Sequence, residues 1–332
     1  MKGWIAAAFG ALLLSAGVAT AQPATQPRAP GTDYPNRPVR IVVAFAAGGN
    51  ADINARLVGQ ALSAQIGQQF VVENRPSGGG VVALDTVAKA APDGYTLLVG
   101  ALGTHGLSPG LYRNLPVHPL TGLDHITINS LSPLVLAVHP SVPARNLAEF
   151  RALLAANPGR YDFGSSGNGS TGHIAAVMLV HMLGVQANHI PYRGSAAAFS
   201  DLAAGRTAFQ VDTISFLESH VRAGTVRGIL VSSAERSPML PDLPTSAEAG
   251  LPEYIASTWT PWSAPLGTPM PIRQFLYEQI QVALQTPAVR DRLLQLGNVI
   301  TLGYTPERTR EFIASEIERW TPIIRISGAT ID

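Results

Sequence analysis

Val39-Arg40-Ile41-Val42-Val43-Ala44-Phe45-Ala46-Ala47-Gly48-Gly49-Asn50-Ala51-Asp52 is the stretch that decides the fold. Its β-branched run, Val39–Phe45, reads as a buried strand. Asn50–Ile66 follows as a helix, with Ile53, Leu57, Leu62 and Ile66 near helical spacing. Gly48 and Gly49 let the backbone of the intervening turn come close to a ligand, and Asp52 can cap the helix. N–H groups at a helix start favour an anion, whatever its identity. The plain alternative is a capped strand–turn–helix that binds nothing.

The same alternation continues along the chain. Gln69–Asn74 and Tyr95–Gly100 read as strands, and Val81–Ala90 as a helix. A second series starts near Leu134 with strand Leu134–His139 and helix Leu147–Ala156. Strand Tyr161–Gly164, helix Gly172–Leu183, strand Asn188–Pro191, helix Ser195–Ala204 and strands Thr207–Asp212 and Arg227–Ser232 follow. Helices Pro271–Gln285, Ala288–Leu296 and Pro306–Ile324 close the chain. This is the pattern of an α/β fold with mostly parallel sheets. Two series predict two lobes, with crossings near Ser130–Pro133 and Leu251–Trp259. Two crossings make a hinge with a cleft between the lobes.

The second series carries its own anion-receptive turn. Gly167-Asn168-Gly169-Ser170-Thr171-Gly172 fits G-x-G-x-x-G after a strand and before a helix. Dinucleotide binding also wants an acidic residue about 20 positions on. Pro191-Tyr192-Arg193 stands there instead, and only Arg193 could suit a 2′-phosphate. Two such turns facing each other across a cleft suit a small carboxylate better than a reaction.

Composition narrows the class. The 332 residues are 46% hydrophobic and 14% charged, with 23 basic against 22 acidic side chains. That is too apolar for a disordered chain and too neutral for a nucleic-acid binder. The absence of Cys excludes disulfides, thiolate metal sites and Cys nucleophiles. Lys2, the apolar run Ile5–Val18 and Ala19-Thr20-Ala21 form an export signal over residues 1–21, cleaved after Ala21. Residues 22–33 read as a flexible leader to a periplasmic protein.

Other motifs carry less. Gly106-Leu107-Ser108-Pro109-Gly110 fits the nucleophile elbow, but Pro109 lacks the N–H that such an oxyanion hole needs, so a turn is expected there. His173, His181 and His189 are eight residues apart, so helix geometry does not gather them, and no metal site is expected. His173 is either structural or orients the Gly-rich loop. Trp259 and Trp262 could wall the cleft, although packing under a loop is the commoner fate of a Trp.

Several landmarks then stand in a familiar order: Phe45 to Gly49 with Asp52; Val72-Glu73-Asn74-Arg75 with Gly78-Gly79-Gly80; Pro92-Asp93-Gly94-Tyr95-Thr96-Leu97; Gly164 to Ser170 with His173; His189-Ile190-Pro191-Tyr192-Arg193-Gly194; Leu240-Pro241-Asp242-Leu243-Pro244-Thr245 with Glu248 and Gly250; Ala264 to Pro269; and Arg319-Trp320. From Tyr34 onward the chain resembles the Bug-type solute-binding receptors of tripartite tricarboxylate transporters. The resemblance implies a type II periplasmic-binding-protein fold, divided as lobe 1 (34–132 and 254–332) and lobe 2 (133–253). It implies ligand contacts from Phe45, Ala46, Gly48, Gly49 and Asp52 in lobe 1. In lobe 2 it implies Ser165, Ser166, Gly167 and Ser170, with Tyr192 and Ser195 nearby. Thr104 and Asp212 are further wall candidates, and Asp212 could meet an ammonium or hydroxyl but would repel a second carboxylate. Departures from the family pattern stand at Ala44, Ala47, Ser108, Val117-His118 and Pro261. The lost prolines at Ala44 and Ala47 should loosen the first turn, and the other changes bear on ligand identity.

The function so implied is capture of a small organic carboxylate (a di- or tricarboxylate, an aromatic acid or an acidic amino acid) and delivery to membrane subunits. No bond is broken, no cofactor or nucleic acid is involved, and a monomer is expected. The rivals are an exported hydrolase using Ser108, Ser165 or Ser166, and a receptor that signals rather than transports.

Overall fold

The computed structural model describes residues 26–331. The export signal and cleavage point lie outside the described residues. In chain order the first elements are β1 (Val39–Val43), α1 (Asn50–Ile66), β2 (Phe70–Asn74), α2 (Val81–Ala88), β3 (Thr96–Val99), α3 (Ser108–Leu111) and β4 (Leu123–Val138). Then come α4 (Leu147–Ala156), β5 (Asp162–Ser165), α5 (Thr171–Leu183), β6 (Asn188–Pro191), α6 (Ser195–Ala203), β7 (Phe209–Thr213), α7 (Ile214–Arg222) and β8 (Arg227–Val231). The chain ends with β9 (Ser257–Pro265), α8 (Met270–Gln285), α9 (Pro287–Gln295), β10 (Val299–Ile300) and α10 (Pro306–Ser327).

The strand order β2-β1-β3-β9-β4-β7-β5-β6 repeats one device. In the first lobe β1 lies between β2 and β3, parallel to both; in the second, β5 lies between β6 and β7, parallel to both. β1 and β5 are therefore each flanked by two parallel strands, and the chain crosses β1 from β2 to β3 and β5 from β6 to β7. The crevice at the carboxyl end of such a strand is where open α/β sheets bind ligands.

One strand joins the lobes. β4 is antiparallel to β9 over Leu123–Pro133 and antiparallel to β7 and β8 over Leu134–Val138. The expected strand start at Leu134 is thus the middle of a longer strand. The sequence reading gives its first half, residues 124–132, no element beyond a crossing near Ser130–Pro133. The polar side chains of that half pair inside the molecule: Asn129 Nδ2 and Ser130 Oγ both donate to Asn54 Oδ1, at 3.0 and 2.9 Å. The return crossing is pinned by Ser232, whose N–H donates to Leu134 O and whose hydroxyl reaches the carbonyls of Leu134 and Ala256.

The first lobe packs Val39, Ile41 and Val43 with Leu62, Leu97, Trp262 and Phe275; the second packs Phe150, Phe163, Phe209, Ile174 and Leu179. α10 packs on α3 and β4 and also on α5, so the terminal helix touches both lobes rather than one. Two more expectations change. The leader is not free at its end, since Ala29 is buried and Arg28 donates to Ile66 O at 3.2 Å. The Gly106–Gly110 segment is no turn: Gly103–Leu107 forms one π-helical turn that runs into α3.

Candidate ligand-binding cleft

The turn after β1 is built to hold its own shape. Gly48 sits at φ +82°, and its N–H donates to Asp52 Oδ2 at 2.9 Å. Asn74 Nδ2 donates to Phe45 O (3.0 Å) and to Asp52 Oδ1 (2.8 Å), and Arg56 closes on the same carboxylate at 3.0 Å. Asp52 is only 2% exposed. Burial pushes its carboxyl up, but Arg56, the Gly48 N–H and Asn74 outweigh this and hold it below its ordinary value. The carboxylate thus serves the turn itself. It lies in the first turn of α1 and reaches back; the cap residue is Gly49, which offers no side-chain bond. The first N–H groups of α1 have no partner within the helix.

The turn after β5 is braced from below. Ser165 is buried; its Oγ lies 3.0 Å from Gly167 O, 3.2 Å from Gly167 N and 2.7 Å from His189 Nε2. Gly169 N–H donates to His173 Nδ1 at 3.1 Å, and Ser170 Oγ caps α5 through His173 N–H at 3.3 Å. The helix geometry of α5 does not gather the histidines, but the parallel pairing of β5 with β6 does: His173 and His189 stack with centroids 3.6 Å apart. Gly172 is required by contact, because a Cβ there would strike the Val211 carbonyl of β7.

Both helix starts open into one cavity of about 430 Å³. Gly49, Asn50 and Ala51 line it from α1, and Ser170, Thr171 and Gly172 from α5; Phe45, Ser166 and Gly167 come from the two turns. Leu134, Thr258 and Thr260, on the crossing strands, form its back. Asp212 is the single ionisable residue among those lining it. Its carboxylate accepts from Thr213 N–H (2.8 Å), Gln210 Nε2 (2.9 Å) and Ser195, while burial pushes its pKa up.

Of the expected site residues, Phe45, Gly49, Ser166, Gly167, Ser170 and Asp212 line this cavity. Ala46 and Gly48 are exposed and are not among the residues lining the cavity. Asp52, Thr104 and Ser165 are buried behind the wall. Ser195 supports Asp212 from behind, and the Tyr192 hydroxyl is taken by Asp201 Oδ2 at 2.6 Å. Ser108 is fully buried and donates to Thr104 O at 2.7 Å. Arg193 is exposed and lies outside the cleft lining. Trp259 and Trp262 are both fully buried. The wall comes instead from Thr258 and Thr260, the alternate positions of the same strand, together with Asn50, Ala51, Ser77, Gly79, Ala101, Gly103 and Thr213. The period-two alternation around Trp259 was the signal for the threonines. Among the described residues no group of three or more His, Asp or Glu is placed to hold a metal.

The sequence pattern of the tripartite tricarboxylate transporter family receptor matches residues 54–329. The chain belongs to that receptor family. The receptor is 36% identical to protein BugT of Bordetella pertussis over 301 residues, 90% of this chain and 91% of the relative. MatC from Rhodopseudomonas palustris, solved with bound malate, superposes with a TM-score of 0.78 at 33% identity, over 88% of this chain and all of that one. A second R. palustris protein, solved with adipate, gives 0.81 at 34% identity, over 90% and 100%. The receptor thus has the type II binding-protein architecture, two α/β lobes on a two-strand hinge with the cleft between them.

Proposed function

We propose that this receptor captures a small organic carboxylate in the cleft and hands it to the membrane subunits of a tripartite transporter. The carrying observation is that two helix N-termini, each at the switch point of its sheet, open into one cavity with no cationic side chain among its lining residues. A carboxylate there is held by N–H dipoles and hydroxyls, which need no counter-charge. The malate and adipate complexes of two relatives support the ligand class. The residues assigned to ligand contact are Phe45, Gly49, Ser166, Gly167, Ser170 and Asp212, with Asn50, Ala51, Thr171, Thr258 and Thr260 added.

The reading includes export to the periplasm with cleavage after Ala21, a monomer, and lobes that meet at 132/133 and 253/254, with α10 shared. It includes no chemical step. Ser165 and His189 are within hydrogen-bonding reach of each other, but the Ser165 hydroxyl is buried under its own loop rather than open to the cleft. A thermal-shift screen of the refolded chain against mono-, di- and tricarboxylates, aromatic acids, acidic amino acids, sugars and NAD(P) tests the reading. At 100-fold excess over Kd one site stabilises by about 2.7 kcal/mol. A shift confined to one carboxylate class is expected; shifts only with sugars or dinucleotides would reject it.

A further inference from the structure

We infer that His173 and His189 act as a neutral, stacked pair that sets the shape of the second lobe's ligand-holding loop, and that both are positioning residues for binding. The inference rests on the carboxylate reading above. The loop contains two glycines at positive φ, Gly167 at +134° and Gly169 at +72°, so regular structure does not fix its path. Two side-chain acceptors hold those two N–H groups: Ser165 Oγ takes Gly167, and His173 Nδ1 takes Gly169.

Proton counting fixes the tautomer of His173 and narrows His189 to two choices. Ser165 has one hydroxyl proton and two neighbours for it, Gly167 O at 3.0 Å, which also accepts from Ser170 N–H at 3.2 Å, and His189 Nε2 at 2.7 Å. We assign the proton to Gly167 O, which closes the loop on itself, and the 2.7 Å contact is then donated by His189 Nε2–H. His173 can accept from Gly169 only with a free lone pair on Nδ1, so it is neutral and carries Nε2–H. The rings lie face to face at 3.6 Å and 10°, and Phe163 stacks on His189 at 5.0 Å. No carboxylate is among the groups acting on either ring; burial lowers His173 to about 3 and His189 to about 4, with His189 itself adding to the effect on His173. The opposite tautomer of His189 would take the serine proton and make a nucleophile–base pair, so the tautomer separates a binding loop from a reactive one.

The test has two parts. Long-range ¹H–¹⁵N spectra of the full protein at pH 6 should show both rings neutral and Nε2-protonated. An Nδ1–H tautomer at either ring, or an imidazolium, would overturn the assignment. Calorimetric titration with malate and adipate should then separate two kinds of variant. His173→Asn keeps an acceptor in the place of Nδ1, and His189→Gln keeps a donor in the place of Nε2; both should bind within about threefold of wild type. His173→Phe and His189→Phe keep the stack but lose the hydrogen bond, and should bind about tenfold or more weakly. Phe variants that bind like wild type would overturn the positioning role. Should the Phe variants fail to fold, a tenfold loss in the Asn and Gln variants would do the same. Wild type that binds neither acid while both rings are Nε2–H would remove the ligand role alone: the loop is clamped, but not for a carboxylate.

Discussion

Gly172→Ala separates helix propensity from close packing at the edge of the cleft. Replacing a helical glycine by alanine ordinarily gains up to about 1 kcal/mol. At Gly172 the new Cβ would stand far inside 3.0 Å of the Val211 carbonyl oxygen, which is backbone of β7 and cannot rotate away. Restoring ordinary contact requires α5 to lift by roughly 1 Å, and forced core contacts of this kind cost about 1–3 kcal/mol. The net expectation is a loss of about 1–2 kcal/mol. The same displacement carries the N–H groups of Thr171 and Gly172 out of the roughly 2.7–3.2 Å hydrogen-bonding window, so carboxylate affinity falls with stability. Gly59→Ala is the matched comparison. Gly59 is also helical and buried, but its nearest neighbour is a side-chain end, Ile41 Cδ1 at 3.0 Å, rather than backbone. It should be neutral or gain up to about 1 kcal/mol. Urea midpoints of the two variants against wild type decide the matter. Both variants moving in the same direction would refute the close-approach argument.

Asp52→Ala leaves the Gly48 N–H, Asn74 and Arg56 without their acceptor and should cost about 1–3 kcal/mol in urea unfolding, while Arg56→Ala, which removes one exposed partner, costs less. Glu316 accepts from the indole N–H groups of Trp259 (3.2 Å) and Trp320 (3.0 Å) at 7% exposure, so Glu316→Leu should lose about 2–4 kcal/mol and Glu316→Gln clearly less. Burial lowers the pKa of His105 well below its ordinary value, His125 to about 4 and His173 to about 3, so all three fold neutral. The unfolded chain takes up their protons as pH drops through about 6.5. Stability is therefore full above that pH and declines toward pH 4, by up to about 1.4 kcal/mol per pH unit for each histidine; denaturant midpoints at pH 7.5, 6 and 5 measure the slope. A flat profile would mean that these rings are protonated inside the fold.

The first helix start was legible from glycines after the β-branched run of β1, and the second from the G-x-G-x-x-G spacing at Gly167–Gly172. The bounds of α1 and of β6 agree with the sequence reading at both ends. What stayed hidden was hidden by polarity and by partnership. β4 carries His125, Thr127 and Asn129 inside the molecule, and only distant partners such as Ser263 and Asn54 make that tolerable. Asp52 and Ser165 have the composition of ligand contacts, yet each is consumed by hydrogen bonds to its own turn and to neighbouring elements, which spacing cannot reveal. The tryptophans drew attention from the smaller Thr258 and Thr260, which face the cavity. The stacking of His173 on His189 depends on which strand lies beside β5, a tertiary fact.

Gly49→Val tests the central claim most directly. Gly49 has ordinary φ (−77°), and a Cβ there meets only Ala46 O at 3.4 Å, so the fold should accept the larger side chain while the cleft loses room at the start of α1. Gly48, at positive φ, would confound binding with backbone strain. Calorimetric titration of wild type with the carboxylate found in the screen, with the acid recovered and weighed by mass spectrometry, should give one site per chain and an unchanged molecule. Gly49→Val should melt like unliganded wild type and bind at least tenfold more weakly. Full affinity in that variant, or an acid recovered chemically altered, would contradict the account.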